Sequence, residues 1–255
     1  MQLRLPVHLA EAYKSPSQRT RLLTETWAAE NLYCPSCDAD HLQACKQSTP
    51  VVDFFCAHCS SIFQLKSQSK PIGMRILDAA YQTMVEAIRA NRVPNLWALQ
   101  YDPSGWRVQN VLLIPSYAFS LSCIEQRKPL QRTARRAGWV GCNIVISSIP
   151  ADARIPVVTE GKAANPSEVR RAYRRLVGLT RLDAEARGWT LDVLHAIRRL
   201  GKDLFSLQDV YALEEQLAAL HPQNRHIRPK IRQQLQRLRD MGLVEFLGGG
   251  RYRVR

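Results

Sequence analysis

A chain of 255 residues with 45% hydrophobic content can bury a sizeable core, which excludes wholesale disorder and allows one large domain or two modest ones. A formal net charge of +14 and a pI of about 9.9 point to a polyanionic partner, nucleic acid ahead of an anionic membrane surface. The sequence has no apolar run of membrane-spanning length and no signal-peptide core, so a cytoplasmic protein without membrane attachment is expected. Its seven cysteines are then left reduced, for metal ligation or core packing.

Residues 9–30 carry Ala12, Leu22, Leu23, Trp27 and Ala28 at helical spacing, interrupted by Ser15-Pro16-Ser17, which predicts two helical pieces. Cys34-Pro35-Ser36-Cys37 and Cys56-Ala57-His58-Cys59 follow, eighteen residues apart. That spacing is the one expected of a four-cysteine zinc site, each turn offering two thiolates to one tetrahedral Zn²⁺; unliganded thiols are the alternative. His41 and His58 are further candidate ligands, although four thiolates already fill the shell. Cys45, Cys123 and Cys142 have no partner spacing and are expected to pack as ordinary apolar residues.

Pro50 to Lys66 reads as a β-hairpin, two apolar runs flanking a small polar segment. Asp53 lies on one strand and Gln64-Leu65-Lys66 on the other. Alternation puts Gln64 and Lys66 on one face, which Asp53 is expected to meet from the neighbouring strand. A carboxylate, an amide oxygen and an ammonium there would suffice to hold Mg²⁺ and stabilise a phosphorane-like charge.

Met74, Leu77, Tyr81, Met84, Val85 and Ile88 recur at the spacing of one amphipathic helix, with Tyr81 and the methionines expected in the core. Strands are expected at Leu96–Tyr101 and Val108–Ile114, joined by Asp102-Pro103-Ser104-Gly105, and again at Cys142–Ser147 and Arg154–Thr159. These elements describe a mixed α/β domain with a central sheet. Between the strands, five of the ten residues from 127 to 136 are Lys or Arg, and Trp139 stands beside them. The segment reads either as a solvated basic loop with an anchoring Trp or as a phosphate-gripping loop with an aromatic platform.

Residues 166–176 form a basic helical stretch, and a boundary follows near 180–187. In the tail, Thr190 is expected to cap a helix over Leu191–Leu200, ahead of Gly201. Ser206 and Asp209 form a capping-box-like pair before Leu213, Leu217 and Leu220. A third helix would bury Ile227, Ile231, Leu235 and Leu238, and Gly248-Gly249-Gly250 would turn a terminal hairpin. This is the winged-helix pattern. The wheel of the third helix puts Arg225, Arg232, Gln233 and Gln236 opposite the apolar stripe, with His226 and Arg237 on the flank. Such a face is normally just solvated, but on the third helix of this module it is expected to turn to the major groove, where Gln suits adenine and Arg suits guanine or phosphate, with contact to a protein the alternative. Arg251, Arg253 and Arg255 would flank the groove from the wing.

With these residues assembled, the chain resembles the methylation-dependent type II restriction endonucleases of the Dpn kind over nearly its whole length. The likeness rests on Leu23-Thr24-Glu25 before Trp27, both cysteine pairs and Pro50 to Asp53. It also rests on Gln126 to Leu130, Thr133 to Trp139 and Ile231 to Gln236. The resemblance implies a mixed-sheet α/β PD-(D/E)XK nuclease domain (1–180) with an inserted four-cysteine zinc site, then a winged-helix DNA-binding domain (181–255). It further implies Mg²⁺-dependent cleavage of double-stranded DNA at GATC sites carrying N6-methyladenine, read by both domains of a monomer. Asp53 and Gln64, with the Leu65 carbonyl, would hold Mg²⁺, and Lys66 would position or activate the attacking water. Arg135, Arg136 and Trp139, with His226, Arg228, Arg232, Gln233, Gln236 and Arg251, are the expected DNA contacts. Trp139 matches the aromatic that the family uses near the methyl groups. One position departs: the family has a glutamate where this chain has Gln64. A catalytically impaired, zinc-containing regulator that binds methylated DNA is therefore the rival reading, and a nuclease of the same fold with another target is a second.

Overall fold

The computed structural model describes residues 1–46 and 51–255; Pro50, which opens the expected hairpin, lies outside them. A 3-10 turn at Val7–Ala10 precedes helix α1 (Pro16–Asn31), which starts with Pro16 in its first turn, where no amide partner is needed. Helix α1 buries Leu23, Thr24, Trp27 and Ala28. The strands and helices that follow are β1 (Gln43–Ala44), β2 (Phe54–Phe55), β3 (Ile62–Gln68), β4 (Arg75–Ala80), α2 (Tyr81–Arg89), β5 (Asn95–Asp102) and β6 (Arg107–Ile114). Next are β7 (Ile124–Gln126), β8 (Gly141–Val145), β9 (Ile155–Thr159), β10 (Lys162–Ala163) and α3 (Pro166–Arg175).

Seven strands form one mixed sheet in the order β1-β2-β3-β5-β6-β9-β10, with β3 and β5 parallel and every other pair antiparallel. Its centre, β5, is buried from Asn95 to Leu99. Trp97 packs there 6.2 Å from Phe63, the two rings stacked. Parallel neighbours need a crossover, and here it runs through β4 and α2. A second, three-stranded sheet has the order β4-β8-β7.

The amphipathic helix expected from Met74 to Ile88 is corrected: only its second half is helical. Residues 75–80 are strand β4, paired with β8 so that Ile76 faces Ile144 and Asp78 faces Cys142. Met74 and Leu77, read as part of the helical stripe, are 65% and 61% exposed, while Ile76 and Asp78 point inward. Of the residues expected in the core, Met84 is buried and Tyr81 only half-buried. A waiting partner strand outweighed a local helical period, because ladder hydrogen bonds satisfy the backbone in either form.

The tail contains α4 (Ala184–Arg199), β11 (Leu204–Ser206), α5 (Leu207–Tyr211), α6 (Glu214–Leu220), α7 (Ile227–Asp240), β12 (Val244–Gly248) and β13 (Arg251–Val254). Helix α4 starts well before the point that Thr190 suggested. Its cap is Asp183, whose side chain accepts from the Ala186 amide. Thr190 lies inside the helix, completely buried, and its hydroxyl donates to Gln234 of α7 at 2.8 Å. Every residue from Arg187 to Leu194 is buried, the mark of a helix packed on all sides. One side meets α7, and the other meets the α2 region and the turn at 120–123. There Arg187 donates to the carbonyls of Phe119 and Ile88 and to the Asn91 side chain. The capping box at Ser206 and Asp209 is formed in both directions. Helix α7 buries Ile227, Ile231, Leu235 and Leu238, and β12 and β13 close a wing to which β11 adds a third strand. The result is a winged helix-turn-helix docked on an α/β unit through α4. Among the described residues, no helix is long and apolar enough to cross a membrane.

Candidate active site and nucleic-acid interface

Asp53, expected on a strand, lies just ahead of β2 rather than in it, its backbone held from both sides. Its amide donates to the Phe63 carbonyl at 2.9 Å, and its own carbonyl accepts from Cys45 at 2.9 Å. Its side-chain Oδ2 accepts from the Leu65 amide at 2.7 Å. The carboxylate is thus fixed against the segment of β3 that carries Gln64 and Lys66. Those two side chains, two residues apart on one face, both turn to Asp78 of β4. Lys66 Nζ lies 2.8 Å from Asp78 Oδ1, and Gln64 Nε2 lies 3.5 Å from the same oxygen.

Asp78 is the residue that sequence reasoning missed, because the helical reading of 74–88 gave it no inward face. A carboxylate two residues after Ile76, in the run Arg75-Ile76-Leu77-Asp78 just past Pro71 and Gly73, was the available signal. Strand β4 bulges between Asp78 and Ala80, a device that re-aims side chains.

The basic segment 127–139 is a closed loop. The Gly138 amide donates to the Leu130 carbonyl, and the Leu130 amide donates to that of Trp139. Arg135 and Arg136 are exposed, and the Arg136 guanidinium stacks 4.8 Å from the centre of the Trp139 ring. The edge of that ring rests on Gly141 of β8, where a Cβ would come within 2.7 Å of Trp139 Cη2. Glycine at 141 is therefore what lets the indole lie down on the sheet. The loop springs from the sheet that carries Asp78: Gln126 pairs with Cys142, Cys142 pairs with Asp78, and the Arg127 amide donates to the Gly141 carbonyl at 3.0 Å. Burial, with Asp78 adding to it and Lys66 and Arg127 opposing it, brings the Cys142 thiol up to about 11.

In the winged unit, Arg232, Gln233 and Gln236 of α7 are exposed on one face, and His226 is exposed just ahead of it. Arg251 is exposed in the wing. Arg228 is held by Glu214 at 2.7 Å and lies over the Tyr211 ring. Arg253 and Arg255 both pair with Glu245, so the wing's positive charge is partly neutralised.

Cys34, Cys37, Cys56 and Cys59 converge, their sulfurs all within 4.8 Å of one another. The close pairs join the two turns, Cys34 to Cys59 and Cys37 to Cys56, each at 3.5 Å. A tetrahedral ion with metal–sulfur bonds of about 2.3 Å needs sulfurs roughly 3.8 Å apart, so the donor set fits a metal ion. Burial raises the Cys59 thiol, but Ser61 and the neighbouring thiols outweigh it and bring it down to about 6. Burial drives the Cys34 thiol upward. From α3, Arg170 clasps the first turn, donating to the carbonyls of Cys34 and Ala39 at 3.1 Å each. The other expected packing cysteines, Cys123 and Cys142, are buried, and Cys45 is half-buried.

Residues 1–181 match the family model described as the Dam-replacing family, and residues 185–254 match the one described as the Dam-replacing HTH domain. The chain belongs to that family, which is one of methylation-dependent restriction endonucleases joined to a helix-turn-helix.

Proposed function

With the Dam-replacing family as premise, we propose that this protein is a Mg²⁺-dependent type II endonuclease that cuts double-stranded DNA at GATC sites bearing N6-methyladenine. The observation that carries this reading is the β3 face, where Gln64 and Lys66 flank the Leu65 amide that fixes the Asp53 carboxylate, and Lys66 pairs with Asp78 of the sheet from which the basic, Trp-bearing loop springs. This is the side-chain set of a PD-(D/E)XK nuclease with an amide in place of one acid. Asp53, Gln64 and the Leu65 carbonyl would hold Mg²⁺, which when bound supplies Lewis-acid stabilisation and a more acidic water. Lys66 orients the attacking water and offsets negative charge developing on the phosphate. Arg135 and Arg136 neutralise phosphates, and Trp139 presents an apolar surface to a methyl group. On the second unit, Gln233 and Gln236 suit adenine edges, His226, Arg232 and Arg251 flank them, and Arg228 is tethered at the rim.

Two readers would explain how a methyl group can be decisive. Burying one is worth roughly 0.8 kcal/mol by area, and a shaped pocket reaches about 1–3 kcal/mol. Two independent readers on a site methylated in both strands multiply these modest ratios. We assign residues 1–180 to cleavage and one reading of the methylated site, and 181–255 to a second reading, in a cytoplasmic monomer. Zn²⁺ is the metal we assign to the cysteine cluster, since four thiolates without carboxylates suit it and close the shell, as structural sites do.

The neutral amide of Gln64 favours one alternative, a binding protein without cleavage. Incubating the protein and Mg²⁺ with methylated and unmethylated plasmid decides between them. Cutting restricted to methylated plasmid is expected; intact methylated plasmid, retarded on the gel but uncut, would support the regulator.

A further inference from the structure

Gln64 is the weak point of the proposed nuclease edge. A free side-chain amide can present either end to a cation, and only its oxygen is a ligand. Its neighbours decide which end. Asp78 Oδ1 stands 3.5 Å from Gln64 Nε2 and 2.8 Å from Lys66 Nζ, and its side chain is 1% exposed. With that carboxylate on one side, the amide must turn its NH₂ toward Asp78, since the reverse would set oxygen against carboxylate oxygen. The Gln64 carbonyl oxygen is thereby turned away from Asp78. The same Asp78 oxygen holds the Lys66 ammonium, so one buried atom sets two donors on one face of β3. Asp78 itself arrives from the other sheet, aimed by the bulge before Ala80.

We propose that Asp78 is a positioning residue of the cleavage site, orienting the Gln64 amide for a hard divalent cation and anchoring Lys66. The proposal rests on the nuclease reading above and explains how a glutamine can serve there. A glutamate at position 64 would confront Asp78 with a second carboxylate in a buried place, at a cost relieved by a bound cation. The pair Gln64 and Asp78 carries one negative charge and one amide. Exchanging the two groups, by Gln64→Glu together with Asp78→Asn, keeps that sum and moves the charge from β4 to β3.

That exchange is the test. Asp78→Asn, Gln64→Glu and the double variant Gln64→Glu/Asp78→Asn are compared with the parent as full-length proteins on methylated duplex. Three quantities are read: duplex binding in EDTA, Ca²⁺ affinity of the protein–duplex complex by calorimetry, and cleavage in Mg²⁺. Asp78→Asn should bind duplex in EDTA like the parent but lose about 10- to 100-fold in Ca²⁺ affinity and cleavage, the usual effect of removing an orienting partner. Gln64→Glu should melt earlier than the parent in EDTA and recover with Ca²⁺. The double variant should regain most of the Ca²⁺ affinity and cleavage lost in Asp78→Asn. If Asp78→Asn is unimpaired, the positioning role is overturned; if the double variant is as impaired as Asp78→Asn, the orienting of the Gln64 amide is overturned. Should Asp78→Asn fold poorly, recovery in the double variant still separates orientation from mere structural need. A parent protein that binds Ca²⁺ but never cleaves would sink the nuclease reading while the exchange still reports on Asp78.

Discussion

Gly141→Ala tests whether Trp139 reads the methyl group without touching the indole itself. The added Cβ would lie 2.7 Å from Trp139 Cη2 and 2.8 Å from Cζ3. Ordinary carbon contacts are about 3.5–4.0 Å, so the ring must retreat by roughly 0.7–1.3 Å or the strand must yield. Gly141 also accepts the Arg127 amide at 3.0 Å and pairs with Ala80 of β4, which holds the backbone and passes the displacement to the ring. A gap of about 0.5–1 Å forfeits a quarter to a half of a contact well, and a shaped methyl pocket is worth about 1–3 kcal/mol. Discrimination should therefore fall by roughly 0.3–1.5 kcal/mol, about twofold to tenfold.

The assay is the ratio of cleavage rates on methylated and unmethylated duplexes, set beside binding to non-specific DNA, which phosphate contacts should keep unchanged. Trp139→Ala should lower the ratio further, and adding Gly141→Ala to it should change nothing more, because the two act on one ring. If Gly141→Ala still lowers the ratio in the absence of the indole, the effect runs through β8, and Trp139 is not the reader.

Asp53→Ala and Lys66→Ala should each abolish cleavage while leaving binding to methylated duplex in EDTA within a few-fold, since both act on charge arising in the transition state; full activity in either would remove this edge from the reaction. Chelation or Cys56→Ser should lower the melting temperature, because binding of a metal to thiolates is folding free energy, and well under one metal ion per freshly purified chain would refute the cysteine site. Arg187→Met should cost about 1.5–3 kcal/mol in urea unfolding, the worth of hydrogen bonds to a buried charged group, and a change under about 0.5 kcal/mol would mean that its three acceptors are satisfied without it. Gln233→Ala should reduce the preference for methylated over unmethylated GATC, whereas Arg251→Ala should weaken binding to both alike.

Much of this molecule is written in local pattern. The cysteine spacing alone marks two turns that each offer a pair of thiolates, since each turn is a self-contained backbone bend. The apolar stripe of α7, with Ile227, Ile231, Leu235 and Leu238 buried, and the capping box at Ser206 and Asp209 follow from periods and hydrogen bonds spanning only a few residues. The alternation that puts Gln64 and Lys66 on one face is likewise a property of any strand.

Other features depended on partners distant in the chain. Residues 75–80 could satisfy their backbone as helix or strand, and β8, far along the chain, settled the matter. With that choice Asp78 turned inward and met Lys66, a pairing between two sheets that no short-range period records. Helix α4 gave no amphipathic signature at Gly188-Trp189-Thr190 because both its sides are covered, one by α7 and one by the turn at 120–123. The seat of Trp139 was set the same way. A glycine is legible at 141, but that an indole edge needs its missing side chain emerges only when loop and strand are folded together.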